Sequence, residues 1–156
     1  MGDHTGQLLL AAAIDEAFEK KSWHGPNLRG ALRGVTAAEA LWRPAAGRHN
    51  IWELAVHCAY WKYVVRRRLS GARRGSFPLK GSNFIPAPEG AGEQGWRAAV
   101  ELLCEQHRQM RALVAELPAA RFAEQKTVHL IRGAAAHDLY HAGQIQLLKR
   151  LQTGAV

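Results

Sequence analysis

One segment of the chain restricts the possible folds more than any other. Between about Glu93 and Leu117 the core-type residues recur at alternating steps of four and three: Trp96, Val100, Leu103, His107, Met110, Val114 and Leu117. This spacing keeps the side chains on one face of an α-helix and is typical of the seam between helices packed in a bundle. Pro118 ends the helix because proline cannot continue its hydrogen-bonded backbone.

Three further segments have long helical patterns, at about residues 5–21, 51–69 and 127–153. Asn50 precedes the segment 51–69, with Glu53 three residues later, which resembles a capping box. Thr127 is the predicted cap of the segment 127–153. In the segment 5–21, the predicted apolar side comprises Leu8, Ala11, Ala12, Asp15 and Phe18. Short helical pieces are predicted from Pro26 to Leu32 and after Thr36. With no strand pattern, the fold class is all-α, a four-helix bundle.

The last long helix carries two histidines on one face. His137 and His141 are four residues apart, so their side chains lie about 40° from each other around the helix. They fall in a stripe that should face the core: Leu130, Ala134, His137, His141, Ile145, Leu148 and Gln152. His57, on another helix, lies one turn from Leu54 and Trp61 on or beside a buried stripe.

Three imidazoles from two helices suit a divalent transition metal such as zinc or nickel. A structural metal site usually has four protein ligands, so three leave a position open for chemistry. The alternative is that each histidine is a core residue satisfied by hydrogen bonds. For three histidines that can converge, the metal is the favoured interpretation.

Other residues near these motifs have less certain roles. Asp138 is predicted either to orient an imidazole as a second-layer carboxylate or to be a surface charge, with equal weight. His107 is predicted to be a core residue or a pocket wall, rather than an extra ligand or base. Trp61 and Tyr140 are candidates for lining a pocket, although packing is the commoner role for such aromatics. The remaining histidines receive no role: His4, His24, His49 and His129.

The connection from about residue 72 to 92 is rich in Gly, Pro, Ser and basic residues. A connection of this length in a compact domain is often functional or mobile. Its hydrophobic residues, Phe77 and Phe84 among them, indicate that it packs over something. We therefore predict that it covers or borders the histidine site.

Composition limits the class of protein. A length of 156 residues predicts one domain, 1–156, and 47% hydrophobic with 22% charged residues is typical of a globular chain. No apolar run approaches the length of a membrane span, so we expect a soluble, cytoplasmic protein with no membrane partner. Cys58 and Cys104 are predicted to be buried, unreactive thiols, although a bridge between them is left open.

A net charge of +8 suggests an anionic partner: nucleic acid, a membrane surface or an acidic small molecule. The basic residues cluster at 66–68 and 73–74. A solvated helix end is favoured over a binding patch, because cations are stabilised near helix C-termini. The chain has no recognisable nucleic-acid recognition motif, so no sequence-specific nucleic-acid partner is predicted.

Three stretches resemble a known family. Asn50-Ile-Trp-Glu-Leu-Ala-Val-His57 and His137-Asp-Leu-Tyr-His141-Ala-Gly-Gln-Ile are similar to the two histidine motifs of the DinB-like superfamily, and Leu41-Trp-Arg-Pro44 also resembles it. The resemblance implies an up-down-down-up four-helix bundle, often a homodimer, with a divalent metal on three histidines. Carried over by position, these are His57, His137 and His141. Characterised relatives are thiol S-transferases that use bacillithiol, mycothiol or glutathione, and others were named metal-dependent hydrolases.

The function predicted from these observations is a metal-dependent enzyme that activates a thiolate or water for attack on a small-molecule electrophile. A low-molecular-weight thiol is the candidate cosubstrate, and a homodimer is expected. Two alternatives remain: a basic protein associated with nucleic acid, and a metal-stabilised bundle without catalysis.

Overall fold

A computed structural model describes residues 5–154, in which all the regular secondary structure is helical and no strand is present. Its helices are α1 (Thr5–Phe18), α2 (Leu28–Ala31), α3 (Ala37–Leu41), α4 (Ile51–Ser70), α5 (Glu93–Glu116) and α6 (Gln125–Thr153), with a 3-10 turn at Ala119–Ala123. Four of them are long, as predicted: α1, α4, α5 and α6. Within the described part of the chain, none is long and apolar enough to cross a bilayer.

Several helix ends follow from the predicted caps. The Asn50 side chain accepts a hydrogen bond of 2.8 Å from the Glu53 backbone N–H at the start of α4. Thr36 and Glu39 form the predicted capping box on α3. Gly71 ends α4 with φ of 73°, a left-handed conformation that glycine adopts without steric cost.

Three predicted ends were wrong. α1 ends at Phe18 rather than near Lys21. α2 begins after Asn27, whose side chain accepts from the Gly30 N–H at 2.9 Å, rather than at Pro26. α6 begins at Gln125, so Thr127 lies inside the first turn, where its hydroxyl donates to the Glu124 carboxylate at 2.9 Å.

The predicted apolar side of α1 is confirmed only at Ala11 and Phe18. The buried residues of this helix are Ala11, Ile14, Ala17 and Phe18. Leu8 is 68% exposed, and Ala12 is exposed as well. The run from Leu8 to Ile14 is apolar on all sides, so its sequence gives no unique direction for the core.

The seam predicted for α5 is largely confirmed. Trp96, Leu103, His107, Met110 and Val114 are buried, whereas Val100 is only partly buried. α4 packs against α5 and α6, and α1 packs against the same two helices.

Two clusters of apolar residues form the core, one around Trp52, Trp96 and Leu103 and the other around Met110, Val114 and Ile131. Between them along α4, α5 and α6 lie buried polar residues: Lys62, His107 and Asp138. We call these three residues the polar layer. The histidine group lies at the same level of α6, because His137 and His141 flank Asp138.

Candidate metal centre

His57 of α4 and His137 and His141 of α6 meet at their Nε2 atoms. The His57 and His137 nitrogens are 3.0 Å apart, and the His137 and His141 nitrogens are 3.1 Å apart. Ligand atoms of all three residues lie within 4.8 Å of one another. His57 and His141 are buried, and His137 is partly exposed. The structure therefore brings together all three histidines that the sequence singled out.

Hydrogen bonds cannot account for this arrangement. The His137 Nε2 atom contacts two other ring nitrogens, but in a neutral imidazole each nitrogen either donates one hydrogen or offers one lone pair. At most one of the two contacts is then a good hydrogen bond. Three nitrogens bound at zinc distances in a tetrahedron would be about 3.3 Å apart, close to the separations of the two pairs. The donor set fits a divalent metal.

Burial keeps the three imidazoles neutral, which is the form that binds metals. Burial, followed by the neighbouring His141, lowers the pKa of His57 to about 4. The same two causes, with a further contribution from His57, lower the pKa of His137 to about 3. The pKa of His141 is also lowered, chiefly by burial. A neutral imidazole keeps a lone pair available at neutral pH.

Gln144 fixes the orientation of one of these rings. The side-chain oxygen of Gln144 lies 2.7 Å from His141 Nδ1, so Nδ1 is the donor and the Nε2 lone pair faces the other histidines. Hydrogen bonds of this kind set the tautomer of metal-binding histidines. No role was predicted for Gln144 from the sequence, although it lies three residues after His141, on the same side of the helix.

The long connection borders the histidine group, as predicted. The Phe84 ring stacks on His57 with 4.0 Å between ring centroids. Asn83 accepts a hydrogen bond of 3.0 Å from the Trp61 indole N–H, which ties the connection to α4. Phe77 packs against Tyr60 and Tyr63 of α4.

His49, which received no role from the sequence, supports the same wall. Its ring stacks on the other face of Phe84 at 3.7 Å, and its Nδ1 donates to the Glu53 carboxylate at 2.9 Å. Arg43 binds the same carboxylate with two hydrogen bonds. Burial opposes ionisation of Glu53, but the hydrogen bonds from Arg43 and His49 outweigh it and lower the pKa of the carboxyl group.

Asp138 is neither a surface charge nor in hydrogen-bonding contact with an imidazole. Its side chain is 1% exposed and forms an ion pair with Lys62, which is 2% exposed. Burial raises the pKa of Asp138, while Lys62 opposes the rise. No pattern in the sequence had indicated Lys62.

Cys58 lies beside this pair. Ligand atoms of Cys58, His137 and Asp138 also lie within 4.8 Å of one another. Burial raises the pKa of the Cys58 thiol well above its usual value, so the sulfur keeps its proton. With the Asp138 carboxylate bound to Lys62, this second group is a poorer metal site than the three histidines. Cys58 and Cys104 are both free and buried, as predicted.

His107 takes the predicted core role. It is 2% exposed, and its ring stacks on Phe18 with centroids 3.8 Å apart. Within the described residues neither ring nitrogen has a hydrogen-bond partner. Burial, followed by the Lys62 charge, lowers the pKa of His107 to about 3.

Two cavities border the histidine group. A cleft of about 550 Å³ reaches His141 and is lined by Tyr140, Phe84 and the segment from Pro44 to His49. A smaller cavity of about 150 Å³ reaches His137 and is lined by Trp61, Lys62 and His129. Trp61 and Tyr140 therefore do line space beside the site. His24 contacts neither cavity, and His4 lies outside the described residues.

The family of the chain follows from this geometry together with a sequence comparison. The family model of the DinB superfamily matches residues 22–145, a span that includes all three histidines. The chain belongs to the DinB superfamily. This confirms the resemblance seen in the motifs. Comparison of this DinB superfamily member with curated proteins and with solved structures gives no significant match.

Proposed function

We propose that this protein is a metal-dependent enzyme in which His57, His137 and His141 hold one divalent transition metal, zinc or nickel. The observation that carries the proposal is the mutual approach of three neutral Nε2 atoms at 3.0 and 3.1 Å. Membership of the DinB superfamily supports it. When bound, such a metal supplies Lewis acidity, which lowers the pKa of a thiol or water beside it.

The surrounding residues are suited to position a substrate there. Gln144 holds the His141 ring in the tautomer with a free Nε2 lone pair. Phe84 covers one face of His57 and keeps bulk water from it. His141 and His137 border separate cavities, so a small molecule can approach the group from two sides. We propose a thiol S-transferase with a low-molecular-weight thiol cosubstrate, or a hydrolase that uses water.

Metal analysis of the purified protein, followed by equilibrium dialysis with zinc and with nickel, tests the metal site. We expect one metal ion per chain, and a loss of affinity of at least 100-fold in His57→Ala, His137→Ala and His141→Ala. His24→Ala is the matched control, because His24 is exposed and outside the group. Full metal binding by any one of the three variants would contradict the proposed ligand set.

Activity is tested separately on the metal-loaded protein. Consumption of glutathione, mycothiol or bacillithiol in the presence of an electrophile such as 1-chloro-2,4-dinitrobenzene should depend on the metal and on His137. Hydrolysis of simple esters and amides is the parallel assay. Full metal occupancy with no activity in either assay would favour a metal-stabilised bundle without catalysis.

We further propose that residues 1–156 form a single domain with up-down-down-up helix order, and that the protein is a cytoplasmic homodimer. Three large residues on one side of α6 remain 48–65% exposed: Tyr140, Leu147 and Leu151. An apolar side of this kind supports a contact between two copies. Light scattering should give twice the mass of the 17.2 kDa chain, and Leu147→Lys/Leu151→Lys should reduce it to a monomer.

A further inference from the structure

A basic cleft lies between the C-terminal half of α4 and the long connection. It has a volume of about 570 Å³, within the range of small-molecule sites in proteins. Its cationic lining residues are Arg67, Arg68, Arg74 and Lys80, and its lining contains no Asp or Glu. We use the name basic cleft for this space and these four cations.

The four cations have no competing anion in the structure. Among residues 5–154 the ion pairs involve other basic residues, and none of the four takes part. In that part of the chain the Nε of Arg67 is a buried donor without a hydrogen-bond partner. Four like charges around one concavity repel each other, so a bound anion would stabilise the arrangement.

The wall of the basic cleft is fixed by aromatic packing. Phe77 contacts Tyr60 and Tyr63 at centroid distances of 5.3 and 5.4 Å. The Gly75 N–H donates to the Tyr63 hydroxyl at 3.1 Å, which holds the basic segment beside α4. The cations therefore line a formed site with aromatic surface, which would also suit the apolar part of an organic ligand.

The basic cleft is adjacent to the histidine group. Trp61 and Arg68 line both this cleft and the smaller cavity that reaches His137. The Trp61 ring centroid lies 6.3 Å from those of both His57 and His137. A ligand held by the arginines thus needs to extend only past Trp61 to reach His137.

We propose that the basic cleft binds a small organic polyanion, with two or more carboxylate or phosphate groups, and directs its uncharged end past Trp61 toward His137. Binding of the anion follows from the cleft alone. Its direction toward His137 rests on the proposed function. Arginine suits this task because its planar group binds carboxylates and phosphates with paired hydrogen bonds.

Calorimetric titration of the full-length, metal-loaded protein with benzene-1,3,5-tricarboxylate tests the proposal. The neutral analogue benzene-1,3,5-trimethanol has the same ring without charge, and inorganic phosphate separates phosphate from carboxylate recognition. We expect the tricarboxylate or phosphate to bind, with an affinity that falls as salt rises, and the neutral analogue not to bind. Binding of neither anion would overturn the proposal.

A matched pair of triple variants separates local from overall charge. Arg68→Gln/Arg74→Gln/Lys80→Gln removes three exposed cations of the cleft, and Arg33→Gln/Arg97→Gln/Arg150→Gln removes three exposed cations elsewhere. We expect the first to weaken anion binding about tenfold or more and the second by less than about threefold. Equal losses of anion affinity in the two variants would show a general charge effect and contradict a binding site in the basic cleft.

Two further outcomes have distinct meanings. Binding of a random-sequence oligonucleotide that the cleft variant loses, without binding of either small anion, would assign the surface to nucleic acid and overturn the proposal. Retained anion binding in His137→Ala supports the cleft whether or not metal binds. Loss of metal binding in that variant, measured by dialysis, reports only on the proposed metal site.

Discussion

The largely buried histidines of α4, α5 and α6 are of two kinds. In His57, His137 and His141, as in His107, burial is the largest cause of a lowered pKa. The first three meet at Nε2, with separations of 3.0 and 3.1 Å. The His107 ring lies flat on Phe18 instead, and in the described structure its nitrogens contact no hydrogen-bonding atom.

The difference shows that burial and a low pKa do not identify a metal ligand. What distinguishes the three histidines is that their Nε2 atoms converge. Gln144 orients the ring of His141, and Phe84 packs on the ring of His57. His107 faces an aromatic ring and lies in the field of the Lys62 cation, which also lowers its pKa. Among the described residues, none of the groups of side chains that could hold a metal ion includes His107.

The largest expected effect separates the two kinds of histidine through metal-linked stability. Zinc at about 1,000 times its dissociation constant should stabilise the folded wild-type protein by about 4 kcal/mol and raise its Tm by about 8–16 °C. His107→Leu should keep that rise, and His137→Ala should lose it. Thermal unfolding with and without zinc measures both. An equal rise in His137→Ala would show that His137, like His107, does not bind the metal.

The Lys62–Asp138 pair should have an effect of similar size. Lys62→Met leaves the Asp138 carboxylate buried without its partner, so we expect a loss of about 3–5 kcal/mol in the free energy of unfolding. Lys62→Met/Asp138→Leu removes both charges and should recover most of that loss. Urea unfolding of the three proteins measures it. A double variant as unstable as the single one would show that packing, rather than the unpaired charge, dominates here.

Leu103→Ala measures the contribution of packing to stability without any change in charge. Leu103 lies one turn before His107 on the same seam and is completely buried. Leu103→Ala should reduce the free energy of unfolding by about 2–5 kcal/mol, the usual range for such core truncations. A near-neutral result in urea unfolding would mean that the assigned phase of α5 is wrong, and with it the position of His107.

The sequence predicted the features that depend on spacing within one helix. The seam of α5 and the shared face of His137 and His141 both follow from steps of three and four residues. The convergence of His57 with this pair is a contact between helices. It was anticipated only because each helix had its own buried stripe and because the motifs resembled the DinB-like superfamily. Gln144 could also have been found, since it lies within one turn of His141.

The polar layer could not be predicted in the same way. Lys62 and Asp138 are 76 residues apart in the chain, and both are residue types that are usually exposed. The buried side of α1 could not be predicted for a different reason, because the run at its start has hydrophobic residues on all sides of the helix. In both cases the packing of other helices decides burial, and no local pattern contains that information.

The smallest predicted effect concerns His107 and pH. Its pKa of about 3 in the folded protein is below the value of about 6.5 expected in the unfolded chain. As the pH falls from about 6.5 toward 3, the unfolded chain takes up a proton that the folded protein does not, so wild-type stability decreases by up to about 1.4 kcal/mol per pH unit from this residue. His107→Leu removes this contribution. The free energy of unfolding of the variant should therefore rise relative to that of the wild type as the pH is lowered.

Urea unfolding of the metal-free proteins at pH 7 and pH 5 measures that gain. Contributions from His57, His137 and His141 are the same in wild type and variant, and therefore cancel in the difference. At pH 7 the variant should be about as stable as the wild type, because leucine replaces a buried ring whose two nitrogens have no partner in the described structure. At pH 5 it should be more stable by about 2 kcal/mol.

His24→Ala, at an exposed position, should match the wild type at both pH values. A difference between His107→Leu and wild type that stays constant with pH would mean that the folded protein can protonate His107. This ring would then not be the neutral, partnerless core residue that sets it apart from the three converging histidines.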